Sequence, residues 1–166
     1  GEAWEDHCTW RMYKSLLRTA SSSGPVTDSI CVRIIERGAD IAAKGSPAYN
    51  DTVHVNYRGW LMPTYNYLGT GTEMGIVQDM FDTSYYGDFN PATAAPTLMG
   101  MRNLIEGFST AMQYMVEGDD WMVFIPYNLA YGSTGSGKIP GYSTLQFRVN
   151  LVRWYESGSG APSTWE

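Results

Sequence analysis

The chain of 166 residues is poor in the residues that most often carry metal, redox or nucleic-acid chemistry. It has two histidines, His7 and His54, far apart and without a carboxylate pattern around either, so no metal site is expected. Its two cysteines, Cys8 and Cys31, match no zinc or redox spacing. They are either two free thiols or a disulfide tying the N-terminal segment to the first strand, and the second case implies an oxidising compartment. Cations are scarce as well: 11 Lys and Arg face 17 Asp and Glu, a net charge of −6. That balance argues against nucleic acid or an anionic membrane surface as the main partner. No apolar run approaches the ~18 residues of a membrane-spanning helix. The chain opens on Gly1 rather than Met, which suggests a trimmed leader.

A nucleotide site is also missing, despite a near-match. Gly132, four residues and Gly137-Lys138 reproduce the G-x-x-x-x-G-K of phosphate-binding loops. That mechanism needs a Ser or Thr hydroxyl for Mg²⁺ and a helix running on from the Lys. Here Ile139 takes the hydroxyl position and Pro140-Gly141 stops any helix. No nucleotide or other cofactor is expected, and Lys138 is expected to face solvent.

What is abundant is apolar and aromatic: 43% hydrophobic and 14% aromatic residues, with 12 Tyr and 6 Trp, enough for one folded domain. Ile30, Val32 and Ile34 alternate with Cys31 and Arg33, and Val53, Val55 and Tyr57 with His54 and Asn56. "WMVFIP" and "STLQFRVNLV" show the same period of two, that of half-buried strands. Residues 101–118 break the rhythm: Leu104, Ile105, Phe108, Ala111, Met112 and Met115 recur at helical spacing, with Asn103 as the expected N-cap and Gly118 past the end. Trp4, Cys8, Met12 and Leu16 recur every four residues, which predicts a second helix ahead of "SSSGP". The expected organisation is an N-terminal helical extension over 1–27, a main domain over 28–156 with an inserted loop at about 61–80, and a flexible tail over 157–166. The fold class is α+β, a set of strands whose apolar face is covered by one central amphipathic helix.

Four motifs in order make the reading specific: "VNYRGWL" (55–61), "FDTS" (81–84), "LIEGFSTAMQYM" (104–115) and "IPYNLAYG" (125–132), followed by "IPGYSTLQFRVNLV". From about Ile30 to Trp154 the chain resembles an FKBP-type peptidyl-prolyl cis-trans isomerase domain, the immunophilins that bind tacrolimus and rapamycin. The resemblance implies an antiparallel sheet curled around one short central helix, with a proline pocket between them. It implies that Tyr57, Phe81, Asp82, Leu104, Ile105, Phe108, Tyr131, Ile139 and Phe147 line that pocket. Phe108 would be the floor and Tyr57, Phe81 and Phe147 the walls. The Ile105 amide and the Tyr131 hydroxyl would hold substrate carbonyls, and Asp82 would orient the peptide or meet the strained imide. "GSTGSGKIPG" would be a flap over the pocket.

The resemblance also marks departures. Pro91-Ala92-Thr93 is followed by Ala94 and Ala95 where the family usually has a bulky aromatic, a space Phe89 is expected to fill. Gly87 stands where a basic residue often follows the pocket Asp, and Phe108 where Trp is commonest. The insertion carrying Tyr65, Tyr67 and Met74 replaces a tight hairpin, and either extends the groove or blocks it. The partners implied are proline-containing polypeptides and macrolides. The family occurs in the cytosol and in cell envelopes alike; an acidic, aromatic-rich chain lacking its start Met, with an N-terminal helical extension, suggests an exported bacterial member of the periplasm or cell envelope, with the cytoplasm as the alternative. Two other readings stand beside the isomerase: a weakly active chaperone or peptide-binding module on the same fold, and a sugar-binding β-domain that would spread its aromatics over one exposed sheet face.

Overall fold

The computed structural model describes residues 9–18, 28–40, 43–62, 64–67, 74–77 and 79–160, with 64–67 and 74–77 described as backbone only. Nine strands and one α-helix are formed in this order. They are β1 (Trp10–Lys14), β2 (Ser29–Glu36), β3 (Thr52–Leu61), β4 (Thr64–Tyr67), β5 (Met74–Val77), β6 (Met80–Thr83), β7 (Thr97–Gly100), α1 (Glu106–Met112), β8 (Asp120–Ile125) and β9 (Leu145–Tyr155). Single 3-10 turns at Met101–Asn103 and Tyr127–Leu129 precede the helix and follow β8.

One antiparallel sheet runs β1-β2-β8-β9-β3-β6, with β7 also on β3. β7 covers Thr52–Val55 of β3 and β6 covers Arg58–Trp60, which leaves Tyr57 between them without a strand partner on that side. Ser84 fills the gap: its hydroxyl accepts from the Tyr57 amide at 2.8 Å and its own amide donates to the Tyr57 carbonyl at 2.9 Å. The ladder is thereby satisfied next to the cavity described below. β4 and β5 form a separate hairpin within the insertion.

The period-two pattern explains the inner face. Ile30, Val32, Val53, Val55, Val123, Ile125, Val149 and Leu151 are buried there against Phe108, Ala111, Met112 and Met115. The helix lies so close to β8 that a Cβ on Gly107 would come within 2.2 Å of the Ile125 side chain. His54 and Asn56, expected on the polar side, are buried too. His54 meets Tyr155 edge-on at 5.4 Å, and the Asn56 amide donates to Asn150 at 3.2 Å.

Two expectations are corrected. The described part of the predicted N-terminal helix is the edge strand β1, in full register with β2 from Trp10↔Arg33 to Lys14↔Ser29. The open edge of β2 supplies backbone partners that an isolated helix could not match, and Tyr13 is gained as a packing group, stacked between Tyr114 and Trp121. Met12 and Leu16, on the supposed apolar helix face, are exposed. Trp4, His7 and Cys8 lie outside the described residues, as do 161–166 of the tail. Second, the helix cap is Ile105, without a side-chain bond, and Asn103 belongs to the preceding 3-10 turn. Gly118 lies past the helix end, as expected, in a turn of its own at φ +95°.

Candidate active site

The cavity between the sheet and the start of α1 has a volume of about 230 Å³. Tyr57, Phe81, Asp82, Leu104, Ile105, Phe108, Tyr131 and Phe147 line it together with Met99 and Asn103. β3 delivers Tyr57, β6 delivers Phe81 and Asp82, and β9 delivers Phe147; the helix start supplies Leu104, Ile105 and Phe108. The rings meet edge to face: Phe108 with Phe147 at 5.3 Å, Phe108 with Tyr57 at 6.0 Å and Phe81 with Phe147 at 5.4 Å. Each contact presents a ring edge to a neighbouring face, the arrangement the aromatic quadrupole favours. A glycine makes it possible, since a Cβ on Gly59 would lie 2.6 Å from the Phe147 ring and 2.7 Å from that of Phe81.

Polar groups sit at chosen points of this apolar bowl. The Tyr57 hydroxyl donates to Asp82 Oδ2 at 2.8 Å, and the Thr83 amide donates to Asp82 Oδ1 at 2.9 Å, fixing the carboxylate. Burial, followed by that carboxylate, pushes the Tyr57 phenol well above its ordinary value, so it stays a donor at any working pH. The Ile105 amide and the Tyr131 hydroxyl have no acceptor or donor opposite them among the described residues. Two groups able to bind carbonyls thus stand beside an aromatic floor.

Ile139 is not among the lining residues: it is buried in the core, 7% exposed. Its amide and carbonyl pair with Ser136 across Gly137-Lys138, which makes the phosphate-loop look-alike a tight two-residue reversal with Lys138 exposed at its tip. Gly135, at φ +76°, and Gly141 allow the chain to double back, as a Cβ on either would meet backbone within 2.3 Å. Phe89 does not fill the space after "PAT" on this cavity. It packs at a tilt against Tyr85 and lies under Arg148, lining a different hollow of about 370 Å³ whose Arg148 is already paired with Asp120 at 2.8 Å. Met99 and Asn103 carried no signal beyond their neighbours: one is an ordinary strand residue of β7, the other looked like a helix cap.

The family model described as FKBP-type peptidyl-prolyl cis-trans isomerase matches residues 43–152. The chain belongs to this family. It is 37% identical over 128 residues to the macrophage infectivity potentiator of Trypanosoma cruzi, covering 76% of this chain and 55% of that one. It is 30% identical over 121 residues to FK506-binding protein 1 of Aspergillus oryzae, covering 73% and 94%. Among solved structures, FkpA of Escherichia coli superposes with a TM-score of 0.56 at 29% identity, over 77% of this chain and 49% of FkpA. The chain spans about half the length of the first of these relatives. The FKBP match begins at residue 43, so β1 and β2 lie ahead of it. No helix among the described residues is long and apolar enough to cross a membrane.

Proposed function

We propose that the chain catalyses cis-trans isomerisation of X–Pro bonds in polypeptides, with proline seated on Phe108. The observation that carries this reading is the joint geometry of the bowl: four interlocked aromatic rings, a pinned carboxylate, and an amide and a hydroxyl left open for carbonyls. The barrier to rotation is ~18–20 kcal/mol and arises from amide resonance. Resonance separates charge, which water stabilises and an aromatic floor does not, so transfer into the bowl raises the planar imide relative to the twisted one. Ile105 N–H and Tyr131 O–H hold the flanking carbonyls while the bond turns, and Asp82 faces the imide. No proton is transferred. The Aspergillus relative's name, FK506-binding protein, supports tacrolimus as a ligand of the same bowl. A relative named as an outer membrane protein of Legionella longbeachae supports a cell-envelope location.

The test is NMR exchange on a short X–Pro peptide, with and without the protein. Catalysed exchange, quenched by tacrolimus together with a rise in melting temperature, is the expected result. Peptide affinity without accelerated exchange would leave a binding module in place of the isomerase, and the absence of both effects would overturn the reading altogether.

A further inference from the structure

The two open groups of the bowl belong to different segments. Ile105 caps α1, and Tyr131 follows the 3-10 turn Tyr127–Leu129. Their separation has to be held if one peptide is to reach both, because an error of about 1 Å in such an arrangement costs up to ~100-fold in rate. Neither segment bonds the other through the residues that line the bowl.

A residue outside the FKBP match joins them. β1 ends at Lys14 and is followed by a turn in which the Arg18 amide donates to the Ser15 carbonyl at 3.2 Å. From that turn Arg18 forks onto Glu106, the first helical residue after Ile105, with Nε to Oε1 and Nη2 to Oε2 both at 2.9 Å. The Ser15 hydroxyl adds a third bond to Oε1 at 2.6 Å. The same Arg18 Nη2 donates to the Asn128 carbonyl at 3.2 Å, in the turn that carries the chain to Tyr131. Asp28 stands 3.9 Å behind the guanidinium.

We propose that Arg18 is a positioning residue for the bowl, a clamp from the N-terminal strand that sets the Ile105 amide and the Tyr131 hydroxyl at a common spacing. A planar guanidinium suits this role because its donors leave in fixed directions, so both bonds to Glu106 and the bond to Asn128 fix angles as well as distances. Its second effect is electrostatic. An unpaired carboxylate one residue from the Ile105 amide would repel an incoming carbonyl oxygen, and Arg18 neutralises it. The Glu106 carboxyl is accordingly held below its ordinary value, first by the Arg18 bond. The proposal rests on the reading of the bowl as a prolyl site, but its geometric content does not need turnover to be tested.

The experiment compares wild type, Arg18→Ala, Arg18→Lys and Arg33→Ala, the last removing a cation from the exposed side of β2. The backbone amide resonances of Ile105 and Tyr131 should shift in Arg18→Ala, and kcat/KM for an X–Pro peptide should fall about tenfold, within the range that small misplacements produce. Arg18→Lys keeps one charge contact and should recover part of the rate; it also keeps the test alive if Arg18→Ala fails to fold. Arg33→Ala should match wild type in both readouts. Combining Arg18→Ala with Tyr131→Phe should cost less than the product of the two single losses, since the clamp acts partly through Tyr131. Unmoved amides, an unchanged rate, or an equal loss in Arg33→Ala each overturn the clamp. A wild type without turnover refutes the isomerase reading alone, and the amide shifts then decide the clamp by themselves.

Discussion

Truncating Phe108 to Ala tests both the packing and the chemistry of the bowl. The ring is 4% exposed and is gripped edge to face by Phe147 at 5.3 Å and Tyr57 at 6.0 Å. Removing a buried Phe side chain costs about 3–5 kcal/mol, made up of lost transfer energy and the void left behind. Here the void opens into a cavity of about 230 Å³ that the substrate must enter. Water can occupy the enlarged space, so the lower end, about 3 kcal/mol, is expected. For a chain of this size each kcal/mol is worth roughly 2–4 °C, giving a fall on the order of 10 °C in Tm by calorimetry. The rate should fall further than stability alone requires, because the floor that excludes water from the imide has gone; at least a tenfold loss of kcat/KM is expected at a temperature where the variant is fully folded. Phe108→Trp is the control, since it keeps an aromatic floor and should retain most of the activity. A Phe108→Ala variant with wild-type Tm and wild-type exchange rate would refute both the burial argument and the desolvation mechanism.

Three further outcomes follow from the same geometry. Tyr131→Phe should leave Tm unchanged while raising the barrier by ~0.5–1.5 kcal/mol, one neutral hydrogen bond, read as kcat/KM. Gly59→Ala places a methyl 2.6 Å from Phe147 and 2.7 Å from Phe81, so it should cost about 1–3 kcal/mol of stability in urea melts and weaken peptide binding as the rings are pushed inward. Turnover should be flat from roughly pH 6 to 9, because no histidine lines the cavity and the Tyr57 phenol is pushed away from neutrality. Stability should not be flat: burial, then Arg153, lowers the His54 pKa, so the unfolded chain takes up a proton first as pH falls through about 6.5. That contribution is fully present above this value and lost below it, and in His54→Gln the step in Tm should vanish.

The sheet was legible because its inner face had to be apolar at every second position, and "SICVRIIE" coincides with β2 from Ser29 to Glu36. The cavity was legible because its residues sit in short motifs, where identity and order carry the information. Of the expected lining residues, only Ile139 lies elsewhere, in the core at the foot of the Gly137-Lys138 reversal. Long-range choices were not legible. Whether residues 10–14 coil or extend depends on the free edge of β2, a feature of the folded sheet that no local period encodes. The Arg18–Glu106 pair spans 88 positions, and nothing around either residue announces it.

The two departures beside Asp82 belong to one rearrangement. Gly87 sits at φ +70°, a conformation that a basic side chain would adopt only under strain, so this loop cannot take a cation there cheaply. The cation comes instead from β3. Arg58 lies 4.3 Å over Tyr85 and donates to the carbonyls of Tyr85 at 2.9 Å and Gly87 at 3.0 Å. Tyr85 packs on Phe89 at 5.0 Å, and Arg148 covers Phe89 at 4.7 Å while bonded to Asp120. Each cation–aromatic contact contributes on the order of 0.5–1 kcal/mol, and together they pin the loop after "FDTS" to the outer side of the sheet. Phe89 is thereby committed to that side and cannot also wall the cavity beside Phe108. Among the described residues Asp82 accepts from neutral donors, the Tyr57 hydroxyl and the Thr83 amide. The loop's own cations are committed to the carbonyls of Tyr85 and Gly87 and to Asp120, so they hold the loop in place from the far side of the sheet and leave the Asp82 carboxylate to the Tyr57 hydroxyl and the Thr83 amide.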